Sequence, residues 1–400
     1  MRFFLMLLFP VACFALMAGV GKADLTPPVG TPSAGYADRK GEGMEGVHDP
    51  LFAIALFLDT GEKKVVLCSV DHLGFTGEMV QKVIEGIHRQ PGLQECEVYI
   101  ASSHTHSGGG AYLNIPLIGD TLAGAYSAEI ADFYIAGTQK AILAATRDPV
   151  PAKIGIGYGT ADGLSYFRSS WPEDGRASGD LALIKVTHED GTPLALLFNY
   201  ATHPTVLTGA NRQFSSDFVG YARDALERDL GVQGIYVNGA QGDIAPKILK
   251  DDRFEACQAL GEALAAKLKV LWEEVPTASS LYLKTYKLPY RFQPRATPFG
   301  LVLPIENYET EMNLLTFDRH AFLTIPGELS SLYDKQLKAL ANELGYANLS
   351  IFGLTNDAHG YILLPEAWRH RTDESALSFG GEEYGERVFR QAEGLLRGQE

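Results

Sequence analysis

The sequence predicts a single large α/β domain, with mixed β-sheet flanked by helices and a metal site at the strand-end loops. Three observations carry this. Short apolar runs rich in β-branched residues alternate with longer segments whose apolar residues recur at helical spacing. Across 400 residues no composition break, long linker or internal repeat divides the chain, and that length suffices for one large core. Several apolar runs stop at glycine- or proline-marked loops holding His, Asp or Glu, the pattern of an α/β protein with a site at one sheet edge.

Residues 1–18 read as an export leader, leaving 19–400 as the domain. Met1-Arg2 is a short charged start, and Phe3–Met17 is apolar and broken only by Pro10. The stretch is too short for a membrane span and no other segment is expected to cross one. Cleavage after Ala15 puts Cys13 at the −3 position. Pro10-Val11-Ala12-Cys13 is a poor lipobox, so lipid anchoring at Cys13 is not expected. The expected address is the periplasm or the cell exterior. Cys68, Cys96 and Cys257 make an odd set downstream, and they read as buried thiols rather than a disulfide framework.

A first strand is expected over Gly21–Pro28, followed by a polar loop through Gly35-Tyr36-Ala37-Asp38-Arg39. Strands Leu51–Leu58 and Lys64–Val70 flank the turn Asp59-Thr60-Gly61, and the second runs into Asp71-His72. Gly77–Arg89 has helical spacing. Cys96–Ala101 is a buried strand feeding Ser102-Ser103-His104-Thr105-His106-Ser107-Gly108-Gly109-Gly110. Residues i and i+2 of an extended chain share a face, so the imidazoles of His104 and His106 look into one space. A helix over Ser127–Arg147, a strand over Lys153–Tyr158 and an irregular loop over Ser165–Gly179 containing Arg168 come next. Leu181–Thr187 and Pro193–Tyr200 form a hairpin around Glu189-Asp190-Gly191, ending at His203. A helix over Ser216–Leu230 takes its cap from Ser215 or Ser216. Strand Gly234–Asn238 ends at Gly239–Pro246, and Phe254–Glu273 is helical. Leu281–Tyr290 is a strand and 291–307 a loop; strand His320–Ile325 leads through Glu328 into a helix reaching Leu344. Strand Leu349–Leu354 leads to Asp357, His359 and Tyr361, and a helix follows over Glu382–Leu396.

Six strand ends thus carry Asp71-His72, His104/His106, His203, Asp243, Glu328, and Asp357/His359/Tyr361. Imidazole nitrogens with a carboxylate are the ligands zinc prefers, and a site with an open position is the catalytic kind. No close-spaced zinc motif is present, so spacing alone names no ligand set. Asp71 and Asp243 either orient ligands or cap strands. A net charge of −15, with no basic patch, argues against nucleic acid or an anionic membrane surface as a partner.

The ordered blocks GVGKADLTPPVGTPSAGYADR, SSHTHSGGG, FNYATHPT, SSDFVGYARDALE, NGAQGDIAP, IPGELSS and GLTNDAHGY resemble the N-terminal catalytic domain of the neutral/alkaline non-lysosomal ceramidases. The resemblance implies an α/β domain with one zinc ion per chain that hydrolyses an N-acyl amide, so a small-molecule or lipid-like N-acyl substrate. It implies zinc ligands at His104, His203, Glu328 and Tyr361, and catalytic roles for His106, Arg168 and Tyr361. Substrate contacts are implied at Gly108, Asn238 and Asp243. Two departures stand out. Where the family's GDxSP block carries a serine, this chain has Ala245, which excludes a serine nucleophile there. The family's immunoglobulin-like C-terminal domain is not expected. The Trp368-Arg369-His370-Arg371 segment sits near the expected pocket rim. Two other readings accommodate the same residues: a non-catalytic zinc-dependent binding protein, and a dinuclear metallophosphoesterase.

Overall fold

The computed structural model describes residues 15–398. Cys13 and most of the leader lie outside the described residues.

Eight strands form the main sheet, in the spatial order Gln233–Asn238, Pro193–Tyr200, Asp180–His188, Val150–Thr160, Met17–Asp24, Phe52–Asp59, Lys64–Val70 and Glu97–Ser102. The outermost pair at each edge is parallel and the rest are antiparallel. Among the described residues its two halves meet through two residue pairs, Met17 with Pro151 and Ala18 with Val150. At roughly 20–25° of twist per strand pair, the sheet turns through most of a half-circle. Strands that run in opposite directions along the ladder therefore finish at one place: Asn238 donates to the backbone oxygens of Ser103 and Thr202 alike.

A smaller sheet joins Leu283–Phe292, Tyr308–Phe317, His320–Thr324 and Asn348–Phe352. Its Leu315, Phe317, Phe322 and Phe352 share a core with Leu56, Leu67, Ile184, Leu197 and Val237 of the main sheet. Helices cover the outer faces. Gly77–His88 and Ala128–Arg147 lie over one half of the main sheet, Phe218–Leu230 and Arg253–Glu274 over the other, and Ser331–Glu343 and Tyr384–Leu396 over the small sheet. Strands buried on both faces read as continuous apolar runs, which is why their sequence pattern is so plain.

Four expectations are corrected. The first strand spans Met17–Asp24, not Gly21–Pro28, and Leu16 and Ala18 are buried; a leader extending to residue 18 would remove the joint between the halves. Tyr308–Phe317 is a strand that the pattern hid. Asp217, rather than Ser215 or Ser216, caps Phe218–Leu230, because Asp49 binds both serine hydroxyls. The 165–179 loop opens with a short strand, Ser165–Phe167, which pairs with Ile244–Pro246. Cys68, Cys96 and Cys257 are free and buried. No helix among the described residues is long and apolar enough to cross a membrane.

Candidate metal centre

His104 follows the Glu97–Ser102 strand with φ 72, and its amide donates to the oxygen of His72. That turn aims the ring inward. Its Nδ1 lies 2.6 Å from the oxygen of Leu73, and His203 Nδ1 lies 2.9 Å from the oxygen of Ile244. A carbonyl only accepts, so both Nδ1 atoms carry a proton and both Nε2 atoms are left to face the space between the two rings. Glu328 Oε2 sits 3.2 Å from His104 Nε2 and 3.0 Å from His203 Nε2. His106 Nε2 is 3.3 Å from His104 Nε2, and the three histidines offer nitrogens within 4.8 Å of one another.

Lone pairs thus converge in a buried space. Burial, with Arg168 nearby, pushes His203 down to about 3, and burial with the neighbouring histidines holds His106 well below its usual value. Burial alone would raise Glu328, but His104 and His203 hold it well below the usual carboxylate range. His104, His106 and His203 together form a group that could hold a metal ion.

Glu328 and Tyr361 stand side by side because residues Glu328–Leu329 pair in parallel with Tyr361–Ile362. The Tyr361 hydroxyl is 3.4 Å from His203 Nε2 and accepts from Arg168 Nη2 at 2.9 Å. The same Arg168 nitrogen lies 3.2 Å from His203 Nε2 and 3.0 Å from the oxygen of Gly242, and Arg168 Nε faces Glu374 at 3.3 Å. Burial works against the guanidinium's charge, yet Tyr361, Glu374 and Glu328 hold it firmly protonated. Burial and Glu328 push the Tyr361 phenol up.

The other strand ends hold this group in place. Asp71 takes a two-pronged bond from Arg223, at 2.9 and 2.6 Å, and steadies the turn that offers the Leu73 oxygen to His104. Asp243 accepts from Ser330 Oγ at 2.5 Å and the Ser331 amide at 2.9 Å, tying the His203 support to the Glu328 loop. Asp357 caps Gly77 and binds His359 on a separate face. The three expected substrate-contact residues are engaged within the protein. The polar side-chain atoms of Asn238 and Asp243 are spent on protein groups, and Gly108 is buried where a Cβ would press on Thr105 and the Asp71 oxygen.

One clasp was not anticipated. Arg39, buried and without a carboxylate partner among the described residues, bonds the oxygens of His106 (2.5 Å), Thr208 (3.0 Å) and Gly209 (3.2 Å) and the Ser33 hydroxyl. Tyr36 packs on the His106 ring at 4.9 Å, and a Cβ at Gly35 would sit 2.5 Å from His106 Nδ1. Its place at the end of the GVGKADLTPPVGTPSAGYADR block was the sequence hint.

Known proteins resemble this chain in sequence and fold. Residues 16–260 match the sequence model described as neutral/alkaline non-lysosomal ceramidase, N-terminal. The neutral ceramidase of Drosophila melanogaster is 27% identical over 256 residues, 58% of this chain and 36% of that protein. Neutral ceramidase A of Dictyostelium discoideum is 26% identical over 254 residues, 57% of this chain and 35% of that one. The chain thus aligns with about a third of each relative's length. The crystal structure of neutral ceramidase from Pseudomonas aeruginosa superposes with a TM-score of 0.83, covering 96% of this chain and 75% of that one at 18% identity, a likeness of fold. The chain belongs to the neutral/alkaline non-lysosomal ceramidase family.

Proposed function

We propose that this protein is a zinc-dependent hydrolase that cleaves an N-acyl amide, ceramide or a related compound, to a carboxylate and an amine. The observation that carries the reading is the meeting of the Nε2 atoms of His104 and His203 with Glu328 Oε2, beside a charged guanidinium. His104, His203, Glu328 and Tyr361 would hold one ion. Bound zinc supplies Lewis acidity, acidifying a water and polarising an acyl oxygen. The chain's own groups do the rest. Arg168, fixed by Tyr361 and the Gly242 oxygen, presents positive charge where the acyl oxygen gains negative charge. His106 Nε2 faces the same space, and its Nδ1 has no protein partner. It is placed to take the proton released by the attacking water and return it to the leaving amine.

The test separates ligand from proton carrier. His203→Ala should lose most of the one zinc per chain, read by elemental analysis of purified protein. His106→Ala should keep the metal while turnover on an N-acyl panel falls by roughly 100-fold or more. Loss of metal in His106→Ala would instead make His106 a ligand. Ala245 favours a second reading, a zinc-binding protein without turnover, and parent protein that binds zinc yet cleaves nothing in the panel would establish it.

A further inference from the structure

On a chain of net charge −15, one surface combines bare apolar side chains with unpaired arginines. Residues 296–305 hold no charged residue and turn at Gly300, whose φ is 81. The tip exposes Phe299 (57%), Leu301 (38%) and Val302 (49%). Leu303 and Ile305 anchor the loop in a cluster that also takes Ile115 and Ile118, and Leu117 between them stands 80% exposed. These two loops border a cavity of about 900 Å³ whose lining includes Leu113, Ile115, Phe292 and Leu303.

The patch is continuous with the metal centre. The Arg371 guanidinium lies 5.7 Å from the Phe299 ring centre. Its neighbour His370 stacks on Trp171 at 5.7 Å, and Trp171 packs on the cluster of Tyr361, Leu363 and Ala367. Arg295 and Arg371 make no ion pair among the described residues, whereas Arg369 beside them binds Glu366 and Glu382. Apolar loop tips ringed by aromatics and unpaired cations match a lipid–water interface, where tips enter the headgroup layer and arginines meet anionic headgroups. The acidic remainder is repelled by such a surface, so the protein would approach with this face first.

We propose that Leu117, Phe299, Leu301 and Val302 insert into the headgroup layer of a lipid bilayer while Arg295 and Arg371 bind its anionic headgroups. This sets the rim beside Tyr361 against the membrane. Delivery of an N-acyl lipid rests on the function proposed above; the docking does not.

The test is therefore sedimentation of the full chain with substrate-free vesicles of phosphatidylcholine containing phosphatidylglycerol. Parent protein should partition to the vesicles, and less to phosphatidylcholine alone. Phe299→Ser with Val302→Ser should weaken partitioning by about tenfold or more at any salt. Arg295→Gln with Arg371→Gln should weaken it roughly 30-fold at low salt, a loss that shrinks as salt rises. Zinc content and cleavage of a soluble short-chain N-acyl amide should stay at the parent level in both variants. A parent that does not partition overturns the proposal whether or not it turns over substrate. Partitioning untouched by all four substitutions overturns the assignment to this face, as does a dimer in size-exclusion that Phe299→Ser dissolves. Partitioning that behaves as expected in a protein that cleaves nothing supports docking and removes the hydrolase reading instead.

Discussion

Single protons decide what the centre can hold. Because Leu73 and Ile244 supply only carbonyl oxygens, the rings of His104 and His203 keep their Nδ1 hydrogens there and present Nε2 to Glu328. Arg39 works one step out, fixing the backbone of His106 through three carbonyls. Arg39→Gln should lower zinc affinity by about 10- to 100-fold, the usual effect of losing a group that orients ligands. Competition with a chelator of known affinity checks it, and unchanged affinity would reduce Arg39 to a loop strut. Asp217 carries a pH signature. Burial pushes its carboxyl up to about 6 from the usual 3.8. The folded state then holds that proton more tightly than the unfolded chain, so stability falls as pH rises through this window. Holding the proton that much more tightly is worth about 3 kcal/mol. Asp217→Asn removes the titration. Its thermal midpoint should lack the decline between about pH 4 and 6, although losing an acceptor for the Leu207 amide offsets it at every pH. Parallel pH profiles for parent and variant would refute this.

At the scale of elements, legibility followed burial. Strands covered on both faces, such as Lys64–Val70 and Gln233–Asn238, announced themselves as apolar runs. Tyr308–Phe317 did not. Its first half mixes Glu309 and Glu311 with apolar residues at a half-exposed edge, and Glu311 pairs with Lys287 across the ladder. The resemblance named His104, His203, Glu328, Tyr361 and Arg168, and these do assemble. It could not show that Asp71 and Asp243 serve them from behind. Nor could it find Arg39, whose acceptors are backbone oxygens remote in sequence. The expected boundary at residue 18 falls inside the first strand, since an apolar run leading into an apolar strand leaves no signal between them. Met17 and Ala18 belong to the sheet and Leu16 is buried beside it, so if the chain carries an export leader, cleavage is expected after Ala15. Intact-mass analysis of exported protein should find Leu16 first. A mature chain starting at Gly19 would lack both residue pairs that join the sheet's halves, and finding one would refute this boundary.

For the whole molecule, the metal centre is a junction. His104 comes from one half of the main sheet, His203 from the other, and Glu328 and Tyr361 from loops of the small sheet. About a hundred residues separate His104 from His203, and more lie between His203 and Glu328. An unfolded chain cannot gather these groups cheaply, so the ion should bind the folded state almost alone. Its binding free energy is then folding free energy, amounting to about 4 kcal/mol when free zinc exceeds the dissociation constant a thousandfold. Chelation should therefore lower the thermal midpoint of the parent, with zinc restoring it in proportion to the logarithm of free ion. In His203→Ala the midpoint should ignore both. Hydrogen exchange should localise the effect: amides around Ser103, Asn238 and Gly353 lie where the three parts touch and should lose protection on chelation more than those of the outer helices. If the midpoint of zinc-loaded parent ignored chelation, while metal analysis confirmed the ion had left, the ion would sit in a frame that stands without it. The core shared by the two sheets would then carry the junction alone.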